Sequence, residues 1–166
     1  TYPTSAFSSS ECNLLCHTGR YYNTNTNDMY YHECQPCPMG QYQETGGQSV
    51  CNPCPVGKYN SQFGSVTEDA CEDCEPGQYS DNTAGSARCK MCEPGYFSNA
   101  NGSFLCTECP DGHYQYRYGQ LDCDTPCPSG KYNRTEYRHG CFPCSAGQYS
   151  SDNTAGCEPC EPGKWS

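Results

Sequence analysis

The stretch Cys37-Pro38-Met39-Gly40-Gln41-Tyr42, running through Gln43 to Val50 and on to Cys51-Asn52-Pro53-Cys54-Pro55-Val56-Gly57-Lys58-Tyr59, decides the fold. It holds one complete unit and the opening of the next. An opening cysteine is followed three residues later by glycine and five residues later by an aromatic ring, and after a variable stretch a second cysteine closes the unit. Two or three residues further on, the next unit opens.

Read outward from there, the pattern recurs at Cys16, Cys37, Cys54, Cys74, Cys92, Cys109, Cys127, Cys144 and Cys160. The third position after each is Gly19, Gly40, Gly57, Gly77, Gly95, Gly112, Gly130, Gly147 and Gly163. The fifth is Tyr21, Tyr42, Tyr59, Tyr79, Phe97, Tyr114, Tyr132, Tyr149 and Trp165. Closing cysteines stand at Cys34, Cys51, Cys71, Cys89, Cys106, Cys123, Cys141 and Cys157. Regularity of this kind marks a tandem array over residues 12–166, with units starting near 16, 37, 54, 74, 92, 109, 127, 144 and 160 and the last one incomplete. Residues 1–11 lack cysteine, are rich in Ser and Thr, and read as a flexible or O-glycosylated lead-in.

Proline precedes most of the repeat glycines, as in Cys37-Pro38-Met39-Gly40 and Glu75-Pro76-Gly77, so each unit is expected to start with a tight turn whose strained position falls on glycine. Alternating segments such as Tyr114-Gln115-Tyr116-Arg117-Tyr118, followed by Gly, Asn or Asp, read as small two-stranded hairpins. The aromatic ring of each unit is expected to pack on the disulfide of its own or a neighbouring unit, because an isolated hairpin is marginal in water.

Composition explains why cysteine dominates. The 166 residues contain 18 Cys and 15 Tyr, which make up most of the nominal 34% hydrophobic content, and isoleucine is absent. Ordering each residue costs roughly 1 to 2 kcal/mol of backbone entropy, which so few aliphatic side chains cannot offset at about 25 cal/mol per Å². Disulfides supply the difference, about 3 kcal/mol for a loop of about 15 residues. The expected fold class is therefore small and disulfide-rich, mostly β-hairpin and turn, an elongated tandem-repeat rod with no conventional hydrophobic core. With nearest-neighbour contacts alone and ~10 to 14 Å per unit, such a rod is roughly 100 Å long.

Disulfides persist in oxidising compartments, so the chain is expected to be secreted, extracellular, or part of a cell-surface appendage. A net charge of −10 argues against nucleic acid and against anionic membrane surfaces. No run approaches the ~20 apolar residues of a membrane span, so no membrane insertion is expected in this segment.

Loop geometry favours pairing each opening cysteine with the next cysteine downstream: Cys16 with Cys34, Cys37 with Cys51, Cys54 with Cys71, Cys74 with Cys89, Cys92 with Cys106, Cys109 with Cys123, Cys127 with Cys141 and Cys144 with Cys157. An interlocked scheme, such as Cys34 to Cys51 with Cys37 to Cys54, is the alternative at this point. Cys12 has the place of a closing cysteine without an opener, and Cys160 opens a unit that stops before its closer. The two are expected to bond out of this segment or between copies, Cys160 of one to Cys12 of the next.

The motif Cys-x-x-Cys-Pro-x-Gly-x-Tyr, followed by a glycine-containing stretch and another Cys-x-x-Cys, resembles the ephrin-receptor-like cysteine-rich repeat over residues 12 to 166. That repeat is similar in turn to the tumour necrosis factor receptor modules, and the resemblance implies the same opener-to-next-cysteine pairing. Long uninterrupted arrays look most like those of large secreted proteins of protists and algae, including mastigoneme proteins. Glu replaces the proline after Cys74, Cys92 and Cys160, and Cys12 and Cys123 stand one residue further than usual from the next cysteine.

Other chemistry weighs less. Paired cysteines at zinc-ribbon spacing number nine and do not divide into tetrahedral sites, so neither metal nor cofactor is expected. His17, His32, His113 and His139 lie scattered without ligand spacing, and Asp81-Asn82 and Asp152-Asn153 fit Asx-turns better than calcium loops. No nucleophile sits beside a base, and enzyme activity is not expected. Asn101-Gly102-Ser103 and Asn133-Arg134-Thr135 are acceptor sequences for covalent glycans. Together these features point to a structural protomer of an extracellular filament or matrix that assembles with copies of itself. The alternative is a cell-surface receptor or adhesion ectodomain binding a protein ligand.

Overall fold

The computed structural model describes residues 16–22, 34–133, 140–152 and 154–164. Among these, the strands form eight separate two-stranded antiparallel sheets. In chain order they pair Arg20–Tyr22 with Cys34–Pro36, Gln41–Tyr42 with Asn52–Pro53, Lys58–Tyr59 with Glu72–Asp73, and Gln78–Tyr79 with Lys90–Met91. Tyr96–Phe97 then pairs with Thr107–Glu108, His113–Tyr114 with Thr125–Pro126, Lys131–Tyr132 with Phe142–Pro143, and Gln148–Tyr149 with Glu158–Pro159. A 3₁₀ turn at Glu68–Ala70 adds a little helix.

Each hairpin is assembled by the tight turn and the cysteines. Gln41 N–H closes a turn onto the Pro38 carbonyl at 3.1 Å, and Tyr96 N–H closes one onto Glu93 at 3.0 Å. Proline thus serves at the first or the second place of the turn, while the third place is glycine in both, with φ +82° at Gly40 and +86° at Gly95. The aromatic ring at the fifth position faces the residue just past the closing cysteine, as in Tyr59 opposite Glu72, Tyr79 opposite Lys90 and Tyr132 opposite Phe142. Where Cys123 stands one residue further from Cys127, Asp124 takes up the excess and Tyr114 still pairs, with Thr125.

The expected strand through Tyr114 to Tyr118 is shorter than its alternation suggested: it ends at Tyr114. Gln115 turns inward, its carbonyl accepts Gly95 N–H at 2.8 Å, and its side-chain oxygen accepts Arg117 N–H at 3.0 Å, which bends the chain away. Tyr116 and Tyr118 are left 57% and 62% exposed.

Burial follows the cysteines. Among the described residues the buried hydrophobic set is Tyr22 together with nine cysteines, including the openers Cys37, Cys54, Cys74, Cys92 and Cys127. The fold is therefore the small disulfide-rich tandem-repeat class expected from composition.

The chain divides into two compact units, one of Thr1–Cys74 with Ser80–Cys89 and one of Glu75–Tyr79 with Lys90–Ser166. Within the first, a Cβ added at Gly19 would strike the carbonyl oxygen of Gly64, and one added at Gly40 would lie 2.7 Å from the carbonyl carbon of Gly85. Within the second, Gly77 meets Gly119 in the same way. Each of these pairs joins repeats two apart. Contacts are thus not confined to nearest neighbours, because a glycine facing a glycine lets two backbones approach past the intervening unit.

Candidate functional site: the junction between repeats

The repeat glycine is the hub of each junction. Its N–H donates to the carbonyl at the sixth position of the next repeat: in the first compact unit Gly19 to Gln43, Gly40 to Asn60 and Gly57 to Ser80, all at 2.7 Å. In the second, Gly77 donates to Ser98 at 2.7 Å, Gly95 to Gln115 at 2.8 Å and Gly130 to Ser150 at 3.0 Å. Its carbonyl accepts the N–H of the next opening cysteine, as in Cys54 to Gly40 at 2.8 Å and Cys109 to Gly95 at 2.9 Å. These are backbone groups, so the joint depends little on which side chains surround it.

A second glycine, in the loop before the closing cysteine, completes the joint. Gly64 N–H donates to the Cys37 carbonyl and Gly119 N–H to the Cys92 carbonyl, each at 2.8 Å. The residue after it then lies along the preceding repeat as a parallel bridge, Ser65 beside Tyr42 and Gln120 beside Phe97.

Sequence reasoning missed the sixth position. Gln43, Asn60, Ser80, Ser98, Gln115, Asn133 and Ser150 are all buried. They are satisfied within the repeat or by the one before: Asn60 Nδ2 donates to Ser65 Oγ at 2.8 Å, Ser80 Oγ to Ser86 Oγ at 2.7 Å, and Ser150 Oγ to the Lys131 carbonyl at 2.7 Å. The available signal was an uncharged polar residue one place after every aromatic from Tyr42 to Tyr149.

Disulfides in the structure join Cys16 to Cys34, Cys37 to Cys51, Cys54 to Cys71, Cys74 to Cys89, Cys92 to Cys106, Cys109 to Cys123, Cys127 to Cys141 and Cys144 to Cys157. Cys160 is a half-buried free thiol whose N–H is already seated on the Gly147 carbonyl at 2.9 Å. Cys12, Trp165 and the lead-in of residues 1–11 lie outside the described residues. Tyr149, Ser150, Thr154, Cys157 and Glu158 line an open cleft of about 430 Å³.

The fifth-position rings are half-buried along the hairpins, Tyr149 more exposed than the rest. Tyr59 Oη donates to Glu72 at 2.8 Å, Tyr149 Oη to Glu158 at 3.0 Å and Tyr42 Oη to Glu68 at 3.2 Å, while Lys90 Nζ lies 5.6 Å from the Tyr79 ring centre. Partial burial and then the Glu68 carboxylate push the Tyr42 phenol above its ordinary value, and the Glu158 hydrogen bond does the same to Tyr149. Asn82 makes the expected Asx-turn, accepting Ala84 N–H at 3.0 Å, whereas Asp152 instead accepts from Ser129 N–H and Oγ at 2.7 and 2.8 Å.

The two glycan acceptors part company. Asn101 is exposed in a loop. Asn133 is 2% exposed and its Nδ2 donates to the Gly140 carbonyl at 2.8 Å, inside the repeat.

Short hairpins, cysteines in place of an aliphatic core and a backbone junction repeated along the chain define an extracellular disulfide-rich repeat protein. The sequence model described as tyrosine-protein kinase ephrin type A/B receptor-like matches residues 19–71 and 95–139, more than half of the chain. The chain belongs to this ephrin-receptor-like family of cysteine-rich repeats.

Among similar proteins, "Sushi, von Willebrand factor type A, EGF and pentraxin domain-containing protein 1" of Rattus norvegicus is 30% identical over 120 residues, covering 70% of this chain and 3% of its own length. "Signal peptide, CUB and EGF-like domain-containing protein 3" of Homo sapiens is 34% identical over 142 residues, covering 72% of this chain and 14% of its own. The chain thus spans a small part of each of these relatives. Among the described residues no helix is long and apolar enough to cross a membrane.

Proposed function

We propose that the chain is a structural segment of an extracellular filament or matrix, joined end to end with further repeats of its own kind, including those of other copies. The observation that carries this reading is the junction itself: backbone groups of Gly19, Gly40, Gly77 and Gly95 dock the next repeat whatever its outer side chains are. Cys160, a half-buried free thiol whose N–H sits on the Gly147 carbonyl as the other opening cysteines sit on their repeat glycines, stands at one such joint. An interchain bond from Cys160 to Cys12 of another copy would lock that joint covalently. A mastigoneme-like appendage is one setting for such an assembly.

Electron microscopy of native, non-reduced protein tests this, with a reduced sample as control. Uniform filaments that shorten or disperse on reduction support the proposal, and dispersed single particles in both samples count against it. The second reading, an ectodomain that binds a protein ligand, draws on the exposed Tyr116, Tyr118 and Leu121 and on Arg117, whose guanidinium lies 5.2 Å from the Tyr116 ring centre.

A further inference from the structure

We propose that Asn101 carries an N-linked glycan in the folded protein and that Asn133, although it stands in an equivalent acceptor sequence, stays bare. The two asparagines occupy different places in the repeat, and each place has a fixed orientation along the chain.

Asn101 immediately precedes a loop glycine, Gly102, which has φ +68°. The residues at the same place in other repeats, Gly46, Phe63, Ala84 and Tyr118, are all exposed, as is Asn101. Its acceptor partner Ser103 points the other way, its Oγ 2.7 Å from Ser98 Oγ and donating to the Ala100 carbonyl at 2.9 Å, so the loop is anchored through the serine while the asparagine faces out. Exposed Phe104 and Leu105 follow directly, and a glycan at Asn101 would shield apolar surface there.

Asn133 holds the sixth position, where Gln43, Asn60, Ser80, Ser98, Gln115 and Ser150 are also buried. Its amide donates to the Gly140 carbonyl at 2.8 Å, across the loop closed by Cys127 and Cys141. A sugar on that nitrogen could not enter the repeat. A chain modified there before folding would have no room for the sugar at this buried position and would fail to close the unit, and so would be missing from the folded, secreted pool.

The transfer balances with a lipid diphosphate-linked oligosaccharide as donor. Asn101 Nδ2 forms a bond to the anomeric carbon, the bond from that carbon to the diphosphate oxygen breaks, the lipid diphosphate leaves with the electron pair, and one amide proton is released.

Protein secreted from a eukaryotic cell line, disulfides intact, is digested with peptide N-glycosidase in heavy-oxygen water and mapped by mass spectrometry. Conversion of Asn101 to labelled aspartate with Asn133 unconverted is expected; conversion at Asn133, or none at Asn101, overturns the proposal. Variants give an independent readout. Asn101→Gln should abolish the gel shift caused by the glycosidase, and Asn133→Gln should leave it unchanged. Glutamine already fills the sixth position at Gln43 and Gln115, so the second variant is expected to fold. A shift lost in Asn133→Gln and kept in Asn101→Gln would reverse the assignment.

Discussion

Gly40 and Gly85, two repeats apart, meet backbone to backbone: a Cβ placed on Gly40 would lie 2.7 Å from the Gly85 carbonyl carbon, and Gln41 Nε2 donates to the adjoining Ala84 carbonyl at 3.1 Å. An array with such contacts couples second neighbours as well as first, so a defect in one unit is felt by more than the unit beside it.

Replacing Gly85 with alanine is expected to destabilise the first compact unit by more than the about 1 to 3 kcal/mol that a positive φ alone costs, since the new Cβ would also strike the Gly40 carbonyl. Gly147→Ala is the comparison, because its φ is +83° but nothing lies within 4 Å of an added Cβ. Denaturant unfolding of the two variants with disulfides intact should rank Gly85→Ala as clearly the worse. Equal losses would mean that the second-neighbour contact contributes nothing.

The buried Ser80 and Ser86 hydroxyls, 2.7 Å apart, offer a double-mutant cycle. Ser80→Ala is expected to cost about 1 to 3 kcal/mol by leaving its partner unsatisfied, and changing both serines to alanine should recover much of that loss. Additive losses would show that the two hydroxyls do not depend on each other.

Alkaline pH should weaken the fold. The Tyr42 and Tyr149 phenols are raised above the ordinary 10.0, Tyr42 chiefly by burial and Tyr149 chiefly by its hydrogen bond to Glu158. The folded chain therefore holds these protons more tightly than the unfolded one. Their stabilisation is complete below pH 10.0 and is lost as pH rises through the higher folded values. With Cys160 alkylated, the denaturation midpoint should fall between about pH 9 and about pH 11, and Tyr149→Phe should reduce that fall. A midpoint insensitive to pH in that range would contradict the assignment.

Much of the repeat was legible because its markers are covalent or conformational. Opening and closing cysteines, the turn glycine and the fifth-position aromatic all announce themselves by residue type. The sixth position did not, because its inward residues are Gln, Asn and Ser, types that ordinarily mark a surface; burial here is satisfied by hydrogen bonds instead of apolar packing. For the same reason Asn133 read as a surface acceptor. The Gly40 and Gly85 contact was hidden because two glycines meeting leave no side-chain signal, and the assumption of nearest-neighbour packing had nothing to correct it. Tyr114 to Tyr118 looked like a strand because alternation carries no information about which carbonyl a neighbouring repeat will claim.

Reduction should unfold the array as a whole, since the buried apolar side chains among the described residues are nearly all cysteines. Loss of one bond such as Cys74 to Cys89, which closes a loop of sequence separation 15, is expected to cost about 3 kcal/mol by the chain-entropy model. Circular dichroism and tyrosine fluorescence before and after reductant follow this directly. Retention of the native spectra in the reduced protein would show that something other than the cysteines holds the repeats.

Cysteines bonded in chain order replace the core. Proteolysis under non-reducing conditions at acidic pH, followed by mass spectrometry of the linked peptides, reads the bonding order. The expected linked peptides join Cys37 with Cys51 and Cys54 with Cys71, and likewise along the chain. Linkage of Cys34 to Cys51, or of Cys37 to Cys54, would establish an interlocked framework and contradict that order.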